Sequence, residues 1–194
     1  RTPDGESIHC WLLVHKSDDA AVDTTSEGTE PPPTLIFFHG NAGNMGFRLA
    51  NAAELFRLGV NVVLMDYRGY GFSSGVPTEN GLHIDADVVL DFVLAHPELA
   101  RDKIAVFGRS LGGAVALALA SRRPAEIKGV IVENTFTSIS DMIDVVLPLV
   151  SPLKKYLVRI KWDSLSLMPG MVTPALFISG DADELVPPPQ VKRL

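Results

Sequence analysis

Gly108-Arg109-Ser110-Leu111-Gly112 is the segment of this sequence best equipped for covalent chemistry. A serine hydroxyl becomes a nucleophile when a base takes its proton and the backbone holds it in reach of a carbonyl carbon. A G-x-S-x-G run can do the second of these as the sharp turn between a strand and a helix, where its glycines let the two elements approach closely. The context fits. An apolar run at 104–107 precedes the turn, and an apolar stretch from Leu111 to Ala120 follows it. Ser110 therefore reads as the nucleophile, raised above a sheet at the positive end of a helix dipole, with Gly108 and Gly112 shaping the elbow. The pentapeptide alone is also compatible with a serine that merely caps a helix.

Acyl transfer at such a serine needs two amide hydrogens aimed at the developing oxyanion and a carboxylate that orients the base. His39-Gly40-Asn41 follows the apolar run 34–38, where a loop amide belongs. The N–H groups of Asn41 and Leu111 are the assigned oxyanion-hole donors, with His39 and Gly40 shaping the loop. His39 is the local alternative for the base. Asp183, just after the apolar run 175–178, is the expected acid, with Asp181 and Glu133 as alternatives.

The base itself is not evident. His9, His15, His39, His83 and His96 all precede Ser110, and no histidine follows Asp183. The order serine, acid, histidine places the base past Leu194. The chain starts without Met at Arg1 and stops in what reads as the start of a helix, so both ends look cut. Taken alone, the 194 residues should be slower than a complete triad by about 10⁴ to 10⁶. If the parent protein also lacks that histidine, the domain binds partners without catalysis.

These groups need a scaffold. Runs at 8–14, 34–38, 60–65, 104–107, 128–132 and 175–178 read as strands, most of them continuously apolar as in a parallel sheet covered on both faces. Leu49, Ala52, Ala53 and Phe56 share one helical face, and Ile84, Val88, Phe92 and Ala95 another. Strand-helix alternation predicts one α/β domain over 1–194, with a mostly parallel central sheet and helices on both faces, lacking a last strand and helix. Residues 16–33 have almost nothing to bury and read as a mobile insertion ending in the stiff Pro31-Pro32-Pro33. Residues 133–173, broken by prolines, read as a helical excursion over the sheet's top edge. It is either a lid or a structural connection. Phe136, Ile139, Met142, Ile143 and Val146 could line an acyl pocket there or simply pack a helix.

Composition excludes other chemistries. Net charge is −6 without a basic run, which argues against nucleic acid. The single cysteine, Cys10, rules out a disulfide framework and reads as core filling. No His/Cys/Asp cluster has metal-ligand spacing, so neither metal nor cofactor is expected. Gly69 to Gly75 has the wrong spacing for a dinucleotide loop, and Gly40 to Gly46 lacks the Lys of a phosphate loop. No run reaches the length of a membrane span.

Phe38-His39-Gly40-Asn41-Ala42-Gly43-Asn44, Asp66-Tyr67-Arg68-Gly69-Tyr70-Gly71-Phe72-Ser73, Gly108-Arg109-Ser110-Leu111-Gly112-Gly113 and Val132-Glu133-Asn134-Thr135-Phe136 together resemble the family of α/β-hydrolase domain-containing protein 13, which includes the fungal bud-emergence (Bem) relatives. The resemblance spans nearly the whole chain outside 16–33. It implies an α/β-hydrolase fold, Ser110 as nucleophile, Asp183 as acid and a histidine further on. It implies ester or thioester hydrolysis, depalmitoylation included, on a small-molecule, lipid-acyl or acylated-protein substrate. A serine peptidase or amidase of the same fold is the alternative. The resemblance also implies membrane attachment through an N-terminal segment not in this chain, the rest reading as a soluble, disulfide-independent domain.

Overall fold

The computed structural model describes residues 1–15, 31–146 and 160–194, with Val146 described by its backbone alone. The expected insertion at 16–33 therefore lies outside the described residues apart from Pro31–Pro33, as does the 147–159 part of the excursion. Six strands form one sheet: β1 (Cys10–Leu13), β2 (Thr34–Phe38), β3 (Asn61–Met65), β4 (Ile104–Arg109), β5 (Ile127–Glu133) and β6 (Ala175–Ile178). Their order is β1-β3-β2-β4-β5-β6. β2 to β6 run parallel, and β1 closes one edge antiparallel to β3. β1 is shorter than the 8–14 run suggested, because pairing with β3 covers only Cys10 to Leu13.

The continuous apolar runs are explained by burial on both faces. Every residue of β2 and β3 is buried. Ile36, Phe38, Val63 and Met65 face the larger core. Phe37, Val62 and Leu64 face a smaller one with Met45 and Ala52. The smaller core is covered by α1 (Leu49–Arg57), and the larger by α2 (Glu79–Ala95) and α3 (Leu111–Arg122). α3 is central: Gly112 to Ala120 are all buried. The smaller core does not extend along the whole sheet. β4 buries alternate residues, β5 buries only Ile127, Val130 and Val132, and Leu176 and Ile178 of β6 are 56% and 42% exposed.

Two helical faces differ from the sequence expectation. In α2 the buried residues are Leu82, Asp85, Ala86, Val89, Leu90 and Val93, whereas Ile84 and Val88 are half-buried and Phe92 and Ala95 exposed. The helix carries two apolar stripes, and the buried one includes an aspartate, which hid it from a hydrophobic count. Arg68 explains that burial. Its backbone N–H and its Nε and Nη2 donate to the Asp85 carboxylate, while Nη1 and Nη2 reach Asp4. A buried carboxylate is tolerated when paired and hydrogen-bonded in this way. In α1, Leu49 is exposed and Ala52 takes the buried position.

After β5 the chain enters α4 (Ile139–Val146) and returns through a 3₁₀ turn at Leu165–Gly170 before β6. The last described element is the short α5 (Pro188–Lys192), which buries Gln190 and Val191. Gln190 Oε1 accepts the Thr137 N–H at 3.1 Å, and Arg193 reaches Asp141 of α4 at 3.0 Å, so α5 is tied to the excursion. Half-buried Cys10 packs against the larger core, and burial with the Asp66 charge pushes its thiol up to about 12.

Candidate active site

Ser110 sits at the β4–α3 junction with φ 53° and ψ −117°, a left-handed backbone that a non-glycine residue adopts at a cost of about 1–3 kcal/mol. The surroundings enforce it. The Ser110 N–H donates to Glu133 O at 3.0 Å. Its carbonyl accepts from Gly113 N at 2.9 Å and from Thr135 Oγ at 2.8 Å. The glycines are required by close approach. A Cβ on Gly108 would lie 2.0 Å from Gly112 O, one on Gly112 2.0 Å from Phe38 O, and one on Gly113 2.5 Å from the Thr135 side chain. The turn therefore presses α3 onto the end of β2, leaving Ser110 half-buried.

The Gly40 loop lies against this turn. A Cβ on Gly40 would stand 3.5 Å from Arg109 O and 3.6 Å from Ser110 Cβ. Asn41 follows, its Oδ1 accepting from the Tyr70 hydroxyl at 2.7 Å. Asp66 anchors the far side by accepting the Met45 N–H at 2.7 Å. His39 is 1% exposed. Its Nδ1 is 2.7 Å from Gly40 O, which can only accept, so that nitrogen carries the proton. Its Nε2 is 3.4 Å from Asp66 Oδ1 but has no hydrogen-bond geometry. Burial outweighs these neighbours and holds the imidazole below its ordinary value. Both ring nitrogens thus face Gly40 and Asp66.

The other histidines are also engaged elsewhere. His9 packs edge-on against Trp11 and Phe72, His15 stacks on Phe56, His83 meets Arg122, and His96 Nδ1 accepts from Glu98 N–H. None of the five hydrogen-bonds the Ser110 hydroxyl.

Asp183 lies at the same C-terminal end of the sheet, past β6, with β5 between it and the serine strand. Two strand spacings amount to about 10 Å. Its Oδ1 accepts the N–H groups of Leu185 and Val186, both at 2.9 Å, which fixes the carboxylate. The loop hangs on Asn134, itself at φ 47°, whose Oδ1 takes the Gly180 N–H at 2.8 Å. Asp181 is exposed. Glu133 is 3.9 Å from Arg109 Nε.

A pocket of about 330 Å³ opens at Ser110, walled by Tyr70, Leu82, Leu111, Phe136, Ile139 and Trp162. Phe136 and Ile139 are thus the two of the five suggested residues found in its wall. Met142 packs into the larger core, Ile143 is half-buried away from the pocket lining, and the Val146 side chain lies outside the described residues. Tyr70, Glu79 and Trp162 had not been singled out for the site. Tyr70 lies in a run that the sequence marks only by its family resemblance and by a glycine spacing wrong for a dinucleotide loop. Trp162 is a single aromatic in an irregular stretch, with no periodicity to mark it. Its φ is 38° and it is 4% exposed. Glu79, in the first turn of α2, accepts the N–H of Lys161 at 2.7 Å and that of Trp162 at 3.1 Å.

A serine on a strained strand-to-helix turn, over a mostly parallel sheet covered by helices, defines the α/β-hydrolase class. The chain belongs to the hydrolase family described as serine aminopeptidase, S33, whose model matches residues 29–169, and to its Bem46-like members. It is 44% identical to protein bem46 of Schizosaccharomyces pombe over 193 residues, 98% of this chain and 61% of that protein. It is 40% identical to an uncharacterized membrane protein of Saccharomyces cerevisiae, covering 100% of this chain and 69% of that one. The chain thus spans 61% and 69% of these two relatives' length. Among solved structures, the Pyrococcus furiosus esterase Pf2001 matches with a TM-score of 0.73 at 20% identity, over 99% of this chain and 73% of that one, a likeness of fold. No helix among the described residues is long and apolar enough to cross a membrane.

Proposed function

We propose that the protein is a serine hydrolase of acyl esters or thioesters. The observation that carries this reading is the left-handed Ser110, held at φ 53° by a turn whose glycines cannot carry a side chain. Ser110 Oγ attacks the acyl carbonyl carbon as a histidine takes its proton. The amides of Asn41 and Leu111 hold the resulting oxyanion, neither being taken by an acceptor among the described residues. The histidine returns the proton to the leaving alkoxide or thiolate, and water releases the acyl group by the same steps in reverse roles. Asp183 orients the imidazole. We place that histidine in a segment past Leu194, next to β6. The strands that lead to Ser110 and to the Asp183 loop are two places apart in the sheet, about 10 Å, which leaves room for an imidazole ring between the loops. The exposed Leu176 and Ile178 support further chain packing on that side.

The apolar pocket wall favours an acyl group, from small esters to lipid-acyl chains and acylated proteins. The family description as an aminopeptidase keeps amide hydrolysis as a second reading. An amine-binding carboxylate would have to be Glu79, whose oxygens already accept two amides. Association with a membrane is a further proposal, supported by the name of the Saccharomyces relative as a membrane protein.

A fluorophosphonate probe tests the reading. The intact protein is expected to be labelled at Ser110, and a Ser110→Ala variant not to be. An intact, folded protein that resists the probe and cleaves no acyl ester is instead a non-catalytic binding domain.

A further inference from the structure

Two cavities, each of about 330 Å³, meet at Trp162. One is the pocket at Ser110. The other lies further along α3, over Ala114, Ala118 and Ser121, with His83 and Ser164 also in its wall. Glu79 and Trp162 are the residues the two linings share. The indole leans on the His83 ring with centroids 4.9 Å apart. Glu79 pins it by accepting the backbone N–H groups of both Lys161 and Trp162.

We propose that Trp162 is the stop that limits how long an acyl chain the Ser110 pocket accepts, the second cavity being the space it denies. The proposal rests on the acyl-hydrolase reading and narrows it, from acyl chains in general to those that end at the indole. A chain whose carbonyl sits at Ser110 runs past Leu82, Phe136 and Ile139 and meets the indole of Trp162. Methylenes that fit the pocket add binding; those that would overlap the ring are rejected. Behind the indole α3 presents the small Ala114, Ala118 and Ser121, while its Arg122 is engaged by His83 and Asp87, so removing the ring joins the two cavities.

The test compares kcat/KM on the intact protein for p-nitrophenyl esters from acetyl to hexadecanoyl. Trp162→Gly is the informative variant, because glycine accepts φ 38° and adds no strain where the ring is removed. The expected result is a shift of the optimum to longer chains. The longest esters should gain about tenfold or more relative to butanoyl. Trp162→Phe, which keeps a smaller ring, should move it in the same direction by fewer carbons and serves if the glycine variant folds poorly. Ser121→Leu, narrowing the second cavity, should leave the parent profile unchanged and cancel the gain in the Trp162→Gly background. An unchanged profile in a Trp162 variant that still cleaves butanoyl ester overturns the proposal. Absence of turnover and of fluorophosphonate labelling in the parent protein overturns the hydrolase reading instead.

Discussion

The turn that carries Ser110 and the loop that carries Asp183 stand at the same end of the sheet and are built in opposite ways. At the turn, three glycines are fixed by contacts of 2.0 to 2.5 Å that any Cβ would make, and Ser110 is held by three hydrogen bonds to its own backbone groups. At the acid loop, a Cβ on Gly180 would find neighbours only at 3.6 to 3.9 Å, and the preceding strand has exposed apolar residues. The turn is over-determined by packing. The loop is held by a few polar contacts: Asn134 to Gly180, and Asp183 to its own following amides. Strain is kept where the surroundings cannot relax, so Ser110 sits in the tight half, whereas the positive φ of the loop's anchor falls on Asn134, a residue type that adopts it at less cost. The other half positions charge, which hydrogen bonds do adequately.

The contrast can be broken most directly at Asp183. In the intact protein, Asp183→Asn keeps a carbonyl oxygen for the two loop amides but loses the charge that stabilises an imidazolium. Activity should fall by about 10⁴ while the melting temperature hardly moves. A comparable loss of stability would make Asp183 a structural cap only. Next in size is a pair of glycine replacements followed by denaturant unfolding. Gly112→Ala should cost about 3 kcal/mol or more, because Phe38 O is backbone and cannot step aside. Gly180→Ala should stay within about 0.5 kcal/mol. Equal costs would erase the distinction between the two regions.

Ser110→Gly should raise stability by about 1–3 kcal/mol while abolishing probe labelling, since glycine adopts the turn without penalty. No gain would mean the turn stores no strain. The smallest effect is on pH. Burial lowers the folded-state value of His39 below the unfolded 6.5, so its contribution to stability is full above 6.5 and is lost as pH falls towards the folded value. His83, lowered first by burial and then by the Arg122 charge, acts in the same direction. Stability by urea unfolding should decline below pH 6.5 with a slope of at most about 1.4 kcal/mol per pH unit for each histidine. Replacing His83 by Gln should remove part of that slope. A flat profile would mean that neither imidazole changes its proton affinity on folding, and stability lost above pH 6.5 instead would mean that His39 is protonated against Asp66.

How much of this was legible in the sequence differs from residue to residue. The β4–α3 elbow was readable because its requirements are local: a strand, a small-residue turn and a helix within a dozen residues. The doubly covered strands were readable because Leu35-Ile36-Phe37-Phe38 and Val62-Val63-Leu64-Met65 leave no polar face to present to water. The α2 face was misread because Asp85 is buried, and its burial depends on Arg68 seventeen residues earlier, a pairing that no helical period reveals. Trp162 was invisible for a similar reason. What makes it a wall is Glu79, contributed by a helix far away in sequence.

Local sequence therefore determined the class of fold, the strand-turn-helix setting of Ser110 and the order of the candidate groups along the chain. Which apolar stripe of α2 faces inward, that His39 is sealed beside Asp66 rather than turned to Ser110, and where the pocket ends were decided by tertiary structure alone. Short-range steric rules act between neighbours along the chain and are written in residue types. Charge pairing, burial and cavity walls are made by groups dozens of residues apart, and exist only once the sheet has brought them together.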